Sequence, residues 1–176
     1  MGQMSLFGEQ KTKPDVILLD YVMTLVANYF DRPRGRVKGG YEKWIEKEEY
    51  RQWLVTLLMD YRAEGGKVVL ITARSNKYYR ATMARLRQVC PLEFDFVIFN
   101  ELQIAPPKSK LHNLEHYIYK LYGKPSDTCY MAIESNKSTR AMYKKQGIAA
   151  LPVPIKGEWD ALPEIITHGK VQETKA

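Results

Sequence analysis

Short apolar runs alternate along this chain with longer segments in which apolar residues recur every three or four positions. A short apolar run bounded by turn-forming residues indicates a buried strand, whereas the longer recurrence indicates a helix with one buried face. The predicted strands are 16–19, 67–72, 94–100, 129–133 and 148–153, and the predicted helices are 41–64, 77–89, 111–121, 138–146 and 160–168.

This order of elements predicts an α/β fold with a Rossmann-like, doubly wound, mainly parallel sheet, because strand–helix alternation favours right-handed crossovers between parallel strands. We expect a flexible N-terminus at 1–13, an α/β domain at 14–155 and a C-terminal extension at 156–176. Within the domain, 28–64 is predicted to form a flap followed by the first long helix. The flap, 28–40, is rich in Arg, Lys and Gly, and we call it the basic flap.

The composition is that of a globular protein. The 176 residues are 45% hydrophobic and 27% charged, which suits one domain with a sizeable core. No apolar run approaches the roughly 18 residues of a membrane-spanning helix, and the polar first residues lack the apolar stretch of a secretory signal. Cys90 and Cys129 lie far apart and are expected to be reduced thiols. We therefore expect a cytoplasmic protein without a membrane partner.

The charge of the chain narrows the choice of partner. Lys and Arg exceed Asp and Glu, and the formal net charge is +7. Such an excess favours polyanionic partners, namely nucleic acid, nucleotides or phosphorylated molecules, although it also promotes solubility.

Polar side chains follow the predicted strands at their carboxyl ends. Asp20 follows the first strand, Thr72 ends the second, and Arg74 lies just beyond it. Because the carboxyl ends of parallel strands share the edge where open α/β sheets bind ligands, we expect these side chains to meet in one crevice. An acid, a hydroxyl, an ammonium and a second acid can attack a phosphoryl group and neutralise its charge, whereas Asp20 alone is also compatible with a turn. The residues that follow the third and fourth strands are Lys108, Lys110, Glu134, Ser135 and Asn136.

These strand ends resemble the four motifs of the haloacid-dehalogenase-like (HAD) hydrolase superfamily, in the family's order. The matching segments are 19–25 (LDYVMTL), 69–74 (VLITAR), 107–110 (PKSK) and 132–136 (AIESN). The resemblance implies an aspartyl-phosphate mechanism in which Asp20 is the nucleophile. The short segment between the first two motifs implies a capless or small-cap member, and such members tend to act on large or exposed substrates, including polynucleotide ends.

The same resemblance implies roles for further residues. Thr72 would hydrogen-bond the transferred phosphoryl group, and Lys110 or Lys108 would stabilise its charge and that of the nucleophile. Basic side chains around the crevice would bind phosphate without sequence specificity, or they would form only a solvated rim. The residues expected to bind substrate are Thr24, Arg74, Lys77, Asn136, Lys137 and Arg140.

Two positions depart from the family's pattern. The family's phosphatases have a second acid two residues after the nucleophile, where this chain has Val22, which can neither protonate a leaving group nor activate water. The fourth motif usually presents an acidic pair, and here Ser135 replaces its second acid. Because Mg²⁺ prefers carboxylate oxygen, this replacement weakens the expected metal site. The remaining candidates for holding Mg²⁺ are Asp20, the Val22 backbone carbonyl, Glu134 and Ser135.

These departures favour a catalytically impaired or inactive HAD-like protein that binds a phosphorylated small molecule or nucleic acid, with no cofactor required. One alternative is an active Mg²⁺-dependent phosphohydrolase that acts on nucleotide or polynucleotide phosphate ends. Another is a non-catalytic subunit of a larger protein assembly. A dehalogenase is a further alternative, since dehalogenases also have Ser-Asn in the fourth motif, but no arginine outside the basic flap matches their halide-binding residue near the first motif.

Overall fold

A computed structural model describes residues 13–165 and shows parallel strands covered by helices on both faces. The strands are β1 (Val16–Leu19), β2 (Lys67–Ser75), β3 (Phe96–Asn100), β4 (Tyr130–Ile133) and β5 (Ala149–Leu151). They form one sheet in the order β3-β2-β1-β4-β5, and each neighbouring pair is parallel. This arrangement confirms the predicted α/β, Rossmann-like fold.

The segments between strands are largely helical. None of the helices within residues 13–165 is both long and apolar enough to cross a membrane. The α-helices of this part of the chain are α1 (Tyr41–Ile45), α2 (Gln52–Ala63), α3 (Tyr79–Val89), α4 (Pro106–Asn113), α5 (Tyr119–Tyr122) and α6 (Lys137–Lys145), with π turns at Tyr21–Leu25 and Leu114–Ile118 and 3₁₀ turns at Tyr29–Asp31 and Asn76–Tyr78.

The sheet has an apolar core on each face, because successive side chains of a strand point to opposite faces. On one face, Ile17 and Leu19 belong to a core that includes Leu54 of α2. On the other face, Val16 and Leu18 belong to a second core, whose helical members include Leu114, Ile118, Met142 and Tyr143. Both faces of β1 are thus covered, which explains why this central strand is a continuous apolar run rather than an alternating pattern.

The prediction of one helix over 41–64 was wrong, because the structure has α1 and α2 there. Tyr50 lies between them and forms an antiparallel bridge with Val26. The Arg51 amide donates to the Leu25 carbonyl at 2.9 Å in the same bridge. These backbone contacts join the segment to the turn after β1, and such tertiary contacts override a helical pattern.

The helix predicted at 111–121 begins earlier than expected. It starts at Pro106, and proline is favoured in the first helical turn because its missing amide would have no partner there. The helical path then continues through the π turn Leu114–Ile118 as far as Tyr122. Lys110 is therefore held on a helix rather than in a loop.

The short helix predicted at 160–168 is absent from 160–165, and 166–168 lie outside the described residues. The chain instead packs here through individual side chains. Ile165 is buried in the core, and Trp159 meets Trp53 edge-on with ring centroids 5.6 Å apart. This segment therefore covers the α2 face of the domain without helical hydrogen bonds.

Two of the helices end at the glycines that were predicted to stop them. Gly65 follows α2 with φ +97°, and Gly147 follows α6 with φ +78°. Glycine is favoured at such positive φ values because it has no Cβ to clash with the backbone. At Gly66, a Cβ would lie 2.2 Å from the ring of Tyr61, so this second glycine allows close packing.

Asp95 anchors the loop before β3 to its neighbours. Its carboxylate accepts hydrogen bonds from Arg62 Nε at 3.2 Å and from the Val68 amide at 2.9 Å. Partial burial alone would raise the pKa of Asp95, but these bonds and the nearby positive charges lower it. The ionised carboxylate is therefore the form that stabilises the fold.

We expect Asp95→Asn to lower the free energy of unfolding by about 1–2 kcal/mol near neutral pH. Because the pKa of this carboxylate is lower in the folded than in the unfolded chain, its contribution is present above the unfolded pKa of about 3.9 and is lost as the pH falls through the folded value. Urea unfolding of both proteins at neutral and acidic pH measures this difference, which should shrink in acid. Asp60→Asn, at an exposed position of α2, is the control, and a pH-independent difference for Asp95→Asn would contradict the prediction.

Candidate functional site

Asp20 lies directly after β1, at the carboxyl edge of the sheet. Its amide donates to the Ile133 carbonyl at 2.9 Å, which fixes the backbone against β4. The residue is only 5% exposed. The central strands therefore hold this carboxylate in a defined position.

Lys110 of α4 places its ammonium between two carboxylates. Its Nζ lies 2.7 Å from Asp20 Oδ1 and 2.5 Å from Glu134 Oε2. All three side chains are almost completely buried. Lys108, the other lysine considered for this position, is exposed on the same helix. The structure thus brings together the two acids and Lys110, and we call these three residues the charged triad.

Two hydroxyl groups contact the second oxygen of Asp20. Thr24 Oγ1 donates to Oδ2 at 2.9 Å, and Ser135 Oγ lies 3.1 Å from the same atom. Ser135 Oγ also lies 3.2 Å from the Val22 carbonyl oxygen. Since a hydroxyl carries one proton, it donates to one of these acceptors at a time. Thr24, expected to bind substrate, is fully buried and contacts Asp20.

The turn that carries these groups is strained at one residue. Met23 has φ +63° and ψ 0°, a left-handed conformation that costs a non-glycine residue about 1–2 kcal/mol. Val22, just before it, remains extended with φ −72° and ψ 130°. Backbone strain of this kind is concentrated at functional sites, where it fixes the direction of particular groups. Here the strained residue directly follows Val22, whose carbonyl oxygen lies 3.2 Å from Ser135 Oγ.

Burial shapes the protonation of the charged triad. Burial alone would lower the pKa of Lys110, but the two carboxylates raise it, so the ammonium remains charged. Burial and repulsion by Asp20 raise the pKa of Glu134 to about 7, against the opposing effect of Lys110. Glu134 therefore takes up a proton near neutral pH.

The oxygens around Asp20 do not fit Mg²⁺ well. Glu134 accepts from Lys110 on Oε2 and from a backbone amide at 2.8 Å on Oε1, so both of its oxygens are engaged. The groups left are Asp20 Oδ2, the Val22 carbonyl and the Ser135 hydroxyl, of which only the first is charged. Mg²⁺ in proteins is usually bound through carboxylates. Within residues 13–165, no cluster of three or more His, Cys, Asp and Glu side chains is placed to hold a metal ion.

The residues after β4 organise the start of α6. Asn136 Oδ1 accepts from the Thr139 amide at 2.9 Å and caps the helix. Arg140 Nη1 donates to two carbonyls of the preceding loop, at 3.0 and 2.6 Å. Lys137 is exposed. Of the three predicted substrate-binding residues here, two thus have identified contacts that stabilise the loop, and Lys137 extends into solvent.

Thr72 and Lys77 lie on and after β2, the strand beside β1. Thr72 is fully buried, and its Oγ1 accepts from the Arg74 amide at 3.1 Å. Lys77 is exposed in the 3₁₀ turn that follows the strand. Thr72 is therefore buried near the carboxyl end of β2, whereas Lys77 is exposed just beyond that strand.

Arg74, expected to bind substrate, is enclosed in a separate buried network. Its guanidinium forms a bidentate ion pair with Glu48, in which Nη1 lies 3.2 Å from Oε2 and Nη2 contacts Oε1. The side chains are 2% and 0% exposed. The guanidinium also lies 4.6 Å from the ring centroid of Tyr21 and 5.2 Å from that of Tyr41. Its charge is thus neutralised inside the protein rather than offered to a ligand in the crevice.

Sequence reasoning missed the partners of Arg74. Tyr21 donates to Glu48 Oε2 at 2.6 Å, and its hydroxyl lies 2.8 Å from that of Tyr50. Burial, followed by the charge of Glu48, raises the pKa of Tyr21, so its hydroxyl keeps its proton. Glu48 gave no signal because it belongs to the charged run 46–49, and such runs usually form an exposed face.

The basic flap is joined to this network by ring contacts. The Arg32 guanidinium lies 5.5 Å from the ring centroids of both Tyr29 and Tyr41. The Tyr41 ring in turn lies 4.8 Å from that of Tyr78, which follows β2. One end of the flap is therefore attached to the carboxyl side of the sheet.

Comparison with known proteins shows similarity in structure only. No protein-family model and no curated protein matches this sequence. The structure is similar to a chain of the Pnkp1/Rnl/Hen1 RNA repair complex, with a TM-score of 0.63 and 14% identity over 86% of this chain and 47% of that one. A second structure of the Pnkp1/Rnl/Hen1 complex gives a TM-score of 0.59 and 16% identity, over 85% of this chain and 49% of the other.

A smaller protein matches over most of its length. A hydrolase from Streptococcus pneumoniae TIGR4 has a TM-score of 0.54 and 14% identity, over 85% of this chain and 95% of that chain. By contrast, this chain spans about half the length of the matching chains from the RNA repair complex. At these identities the comparisons establish a shared α/β fold.

Proposed function

We propose that this chain is a HAD-like phosphatase-fold protein with impaired or no catalysis, and that it binds a phosphorylated partner, most favourably a nucleic acid. The observation that carries the proposal is the environment of Asp20. Lys110 contacts one of its oxygens, and the hydroxyl of Ser135 lies between its other oxygen and the Val22 carbonyl. The nucleophile position is retained, but the groups that would complete a phosphatase site are altered.

The chemistry explains why catalysis is impaired. Asp20 could attack a phosphoryl group, but the leaving alcohol then needs a proton, and general acid–base catalysis typically contributes about 10²–10⁴-fold. The side chain of Val22 carries no proton to transfer. Both oxygens of Glu134 are engaged, and Ser135 is a weaker Mg²⁺ ligand than the acid it replaces. The site therefore lacks the groups that would complete the removal of a phosphate.

The proposed ligand class follows from charge and access. Lys77, Lys108 and Lys137 are exposed near strand ends on the carboxyl side of the sheet, and the whole chain has a net charge of +7. Between β1 and β2, α2 packs into the core, so only the turn after β1, the basic flap and α1 remain to cover the carboxyl edge. A positively charged rim favours a long polyanion as the ligand. The structural likeness to a chain of an RNA repair complex also supports this choice.

Two other functions have specific support. The retained Asp20, with Lys110 Nζ 2.7 Å from its carboxylate, supports an active Mg²⁺-dependent phosphohydrolase that acts on nucleotide or polynucleotide ends. The likeness to chains of a multiprotein complex supports a non-catalytic subunit of an assembly. The first of these requires phosphate release, and the second requires a stable protein partner.

The experiment measures phosphate release from oligonucleotides with a 3′- or 5′-phosphate, in the presence of Mg²⁺, by the wild type and by Val22→Asp/Ser135→Asp. We expect no release by the wild type. Restoring the two acids should give release at least about 10²-fold above the wild-type background, because an acid–base group and a carboxylate ligand are both regained. Adding Asp20→Asn to the double variant is the control and should abolish release.

The same proteins also report on binding. We expect the wild type to bind the phosphorylated oligonucleotides with an affinity that falls steeply with salt, because contacts to phosphate release counterions. Wild-type phosphate release that Asp20→Asn abolishes would overturn the proposal in favour of the active enzyme. Binding that does not depend on salt would argue against nucleic acid as the partner.

A further inference from the structure

A groove of about 450 Å³ lies along β3, which is an edge strand of the sheet. Lys77, Tyr79 and Arg80 line it from the start of α3 and the turn before it. Phe96 contributes from β3 itself, and Tyr117 contributes from the π turn on the opposite face. The groove is separate from the charged triad.

Aromatic rings are unusually accessible in this groove. Tyr79 is 44% exposed, and Phe96 and Tyr117 are each 37% exposed. The ring of Tyr79 is held by an edge contact with Phe99, at a centroid distance of 5.2 Å. A group of exposed aromatic residues along one cleft is a feature of binding surfaces. Held rings also lose little conformational freedom when a ligand stacks on them.

The charges of the groove favour an anionic ligand. Lys77 and Arg80 are exposed cations, and Glu101 is the one acid among the lining residues. Lys77 Nζ lies 4.8 Å from the ring centroid of Tyr78, beside the groove entrance. Cations interleaved with aromatic rings are the combination that binds single-stranded nucleic acid, because phosphates contact the cations while bases stack on the rings.

One end of the groove lies at the same edge of the sheet as Asp20. β2 and β3 are parallel and Ser75 pairs with Asn100, so Lys77 lies near the carboxyl edge of the sheet. Asp20 follows β1 on that same edge. Phe96 begins β3 and lies at the other end of the groove. A chain lying along β3 would therefore have one end at the carboxyl edge of the sheet, two strands away from the end of β1.

We propose that this groove binds a single-stranded nucleic acid whose end enters the crevice. Bases stack on Tyr79, Phe96 and Tyr117, and Lys77 and Arg80 contact phosphates. This inference rests on the proposed nucleic-acid function and assigns it a path on the protein surface. A peptide that adds a strand to β3 is the competing occupant, but main-chain pairing alone would not require the cations and exposed rings found here.

The test uses fluorescence anisotropy with a labelled single-stranded oligonucleotide of about ten nucleotides, with and without a terminal phosphate. We expect Tyr79→Ala and Tyr117→Ala each to weaken binding about 5- to 150-fold, the effect of losing one stacked base. Tyr79→Phe keeps the ring and should bind as the wild type does. Thermal unfolding of each variant checks that the fold is retained.

Salt dependence provides an independent readout. Lys77→Ala/Arg80→Ala should reduce the slope of log affinity against log salt by about 1.4, because each phosphate contact on a single strand contributes about 0.7. The matched control is Lys144→Ala/Lys145→Ala, at exposed positions on the last turn of α6. This control should leave the slope unchanged, since α6 packs against β5, which is at the opposite edge of the sheet from β3.

The outcomes separate the groove from the crevice. If groove variants weaken binding but the terminal phosphate adds no affinity, the groove proposal stands and phosphate recognition at Asp20 fails. If the phosphate adds affinity while Tyr79→Ala and Lys77→Ala/Arg80→Ala bind as the wild type does, the groove proposal is overturned. Absence of oligonucleotide binding, or groove variants that disrupt only a protein complex, would also overturn it.

Discussion

Glu48→Gln is expected to lower the free energy of unfolding by about 3–5 kcal/mol, because removing one member of a buried ion pair leaves the other charge uncompensated. Arg74 is the charge left behind, and its side chain is 2% exposed. The substitution keeps the size of the side chain, so the loss reports the charge rather than a cavity. For a chain of this length, the midpoint of thermal unfolding should fall by roughly 10 °C.

Two further variants isolate the ion pair. Glu49→Gln changes the neighbouring exposed acid and should leave the unfolding midpoint nearly unchanged. Glu48→Leu/Arg74→Met removes both charges and should recover much of the loss, since an apolar pair of similar volume often matches or exceeds a buried ion pair in stability. Equal stability of Glu48→Gln and Glu49→Gln would show that the pair is not held as the structure shows.

This network has a consequence for the crevice. Glu48 precedes α2, whereas Arg74 lies near the end of β2, so their ion pair joins the segment between the helices to the sheet. Tyr21, the residue after Asp20, donates to the same Glu48. The position of the turn after Asp20 is therefore coupled to this buried network. The pair places Arg74 among the residues that position the site.

The sequence predicted the parts of the fold that depend on local patterns. The apolar run 16–19 matches β1 because a central parallel strand is buried on both faces. At the sheet edge the signal is weaker: β3 begins two residues after the predicted start at 94, because Asp95 is used to anchor the loop. The break between α1 and α2 could not be predicted, since it depends on pairing between Tyr50 and Val26.

The candidate site shows the same division. Asp20 and Glu134 could be placed together because each directly follows a strand, and parallel strands share an edge. Lys110 lies further along the chain, in α4, and its place in the site was expected from the resemblance of segment 107–110. The sequence did not decide whether Lys108 or Lys110 lies beside Asp20. The structure shows that the helix starting at Pro106 directs Lys110 inward. The exposed rings along β3 were not recognised, because their grouping depends on elements from both faces of the sheet.

Lys110→Met is expected to destabilise the protein by about 3–5 kcal/mol in mildly alkaline buffer without divalent metal, because it leaves two adjacent carboxylates buried without their counter-charge. The side chain of Lys110 is 1% exposed, and methionine fills nearly the same space. The pKa of Glu134 is already raised to about 7, and loss of the ammonium should raise it further. Protonation of Glu134 stabilises the fold at low pH, and this stabilisation is lost as the pH rises through the folded pKa. The free energy of unfolding of the variant should therefore increase as the pH is lowered toward 5.

Matched variants distinguish this charge effect from packing. Lys108→Met alters the exposed lysine of the same helix and should unfold at the wild-type denaturant concentration. Lys110→Met/Glu134→Gln removes one buried carboxylate together with the ammonium, so it should regain part of the lost stability and show a weaker pH dependence. If Lys110→Met and Lys108→Met were equally stable across this pH range, the ammonium would not lie between Asp20 and Glu134. The proposed phosphate site would then lose the interaction that permits two acids to be buried at its centre.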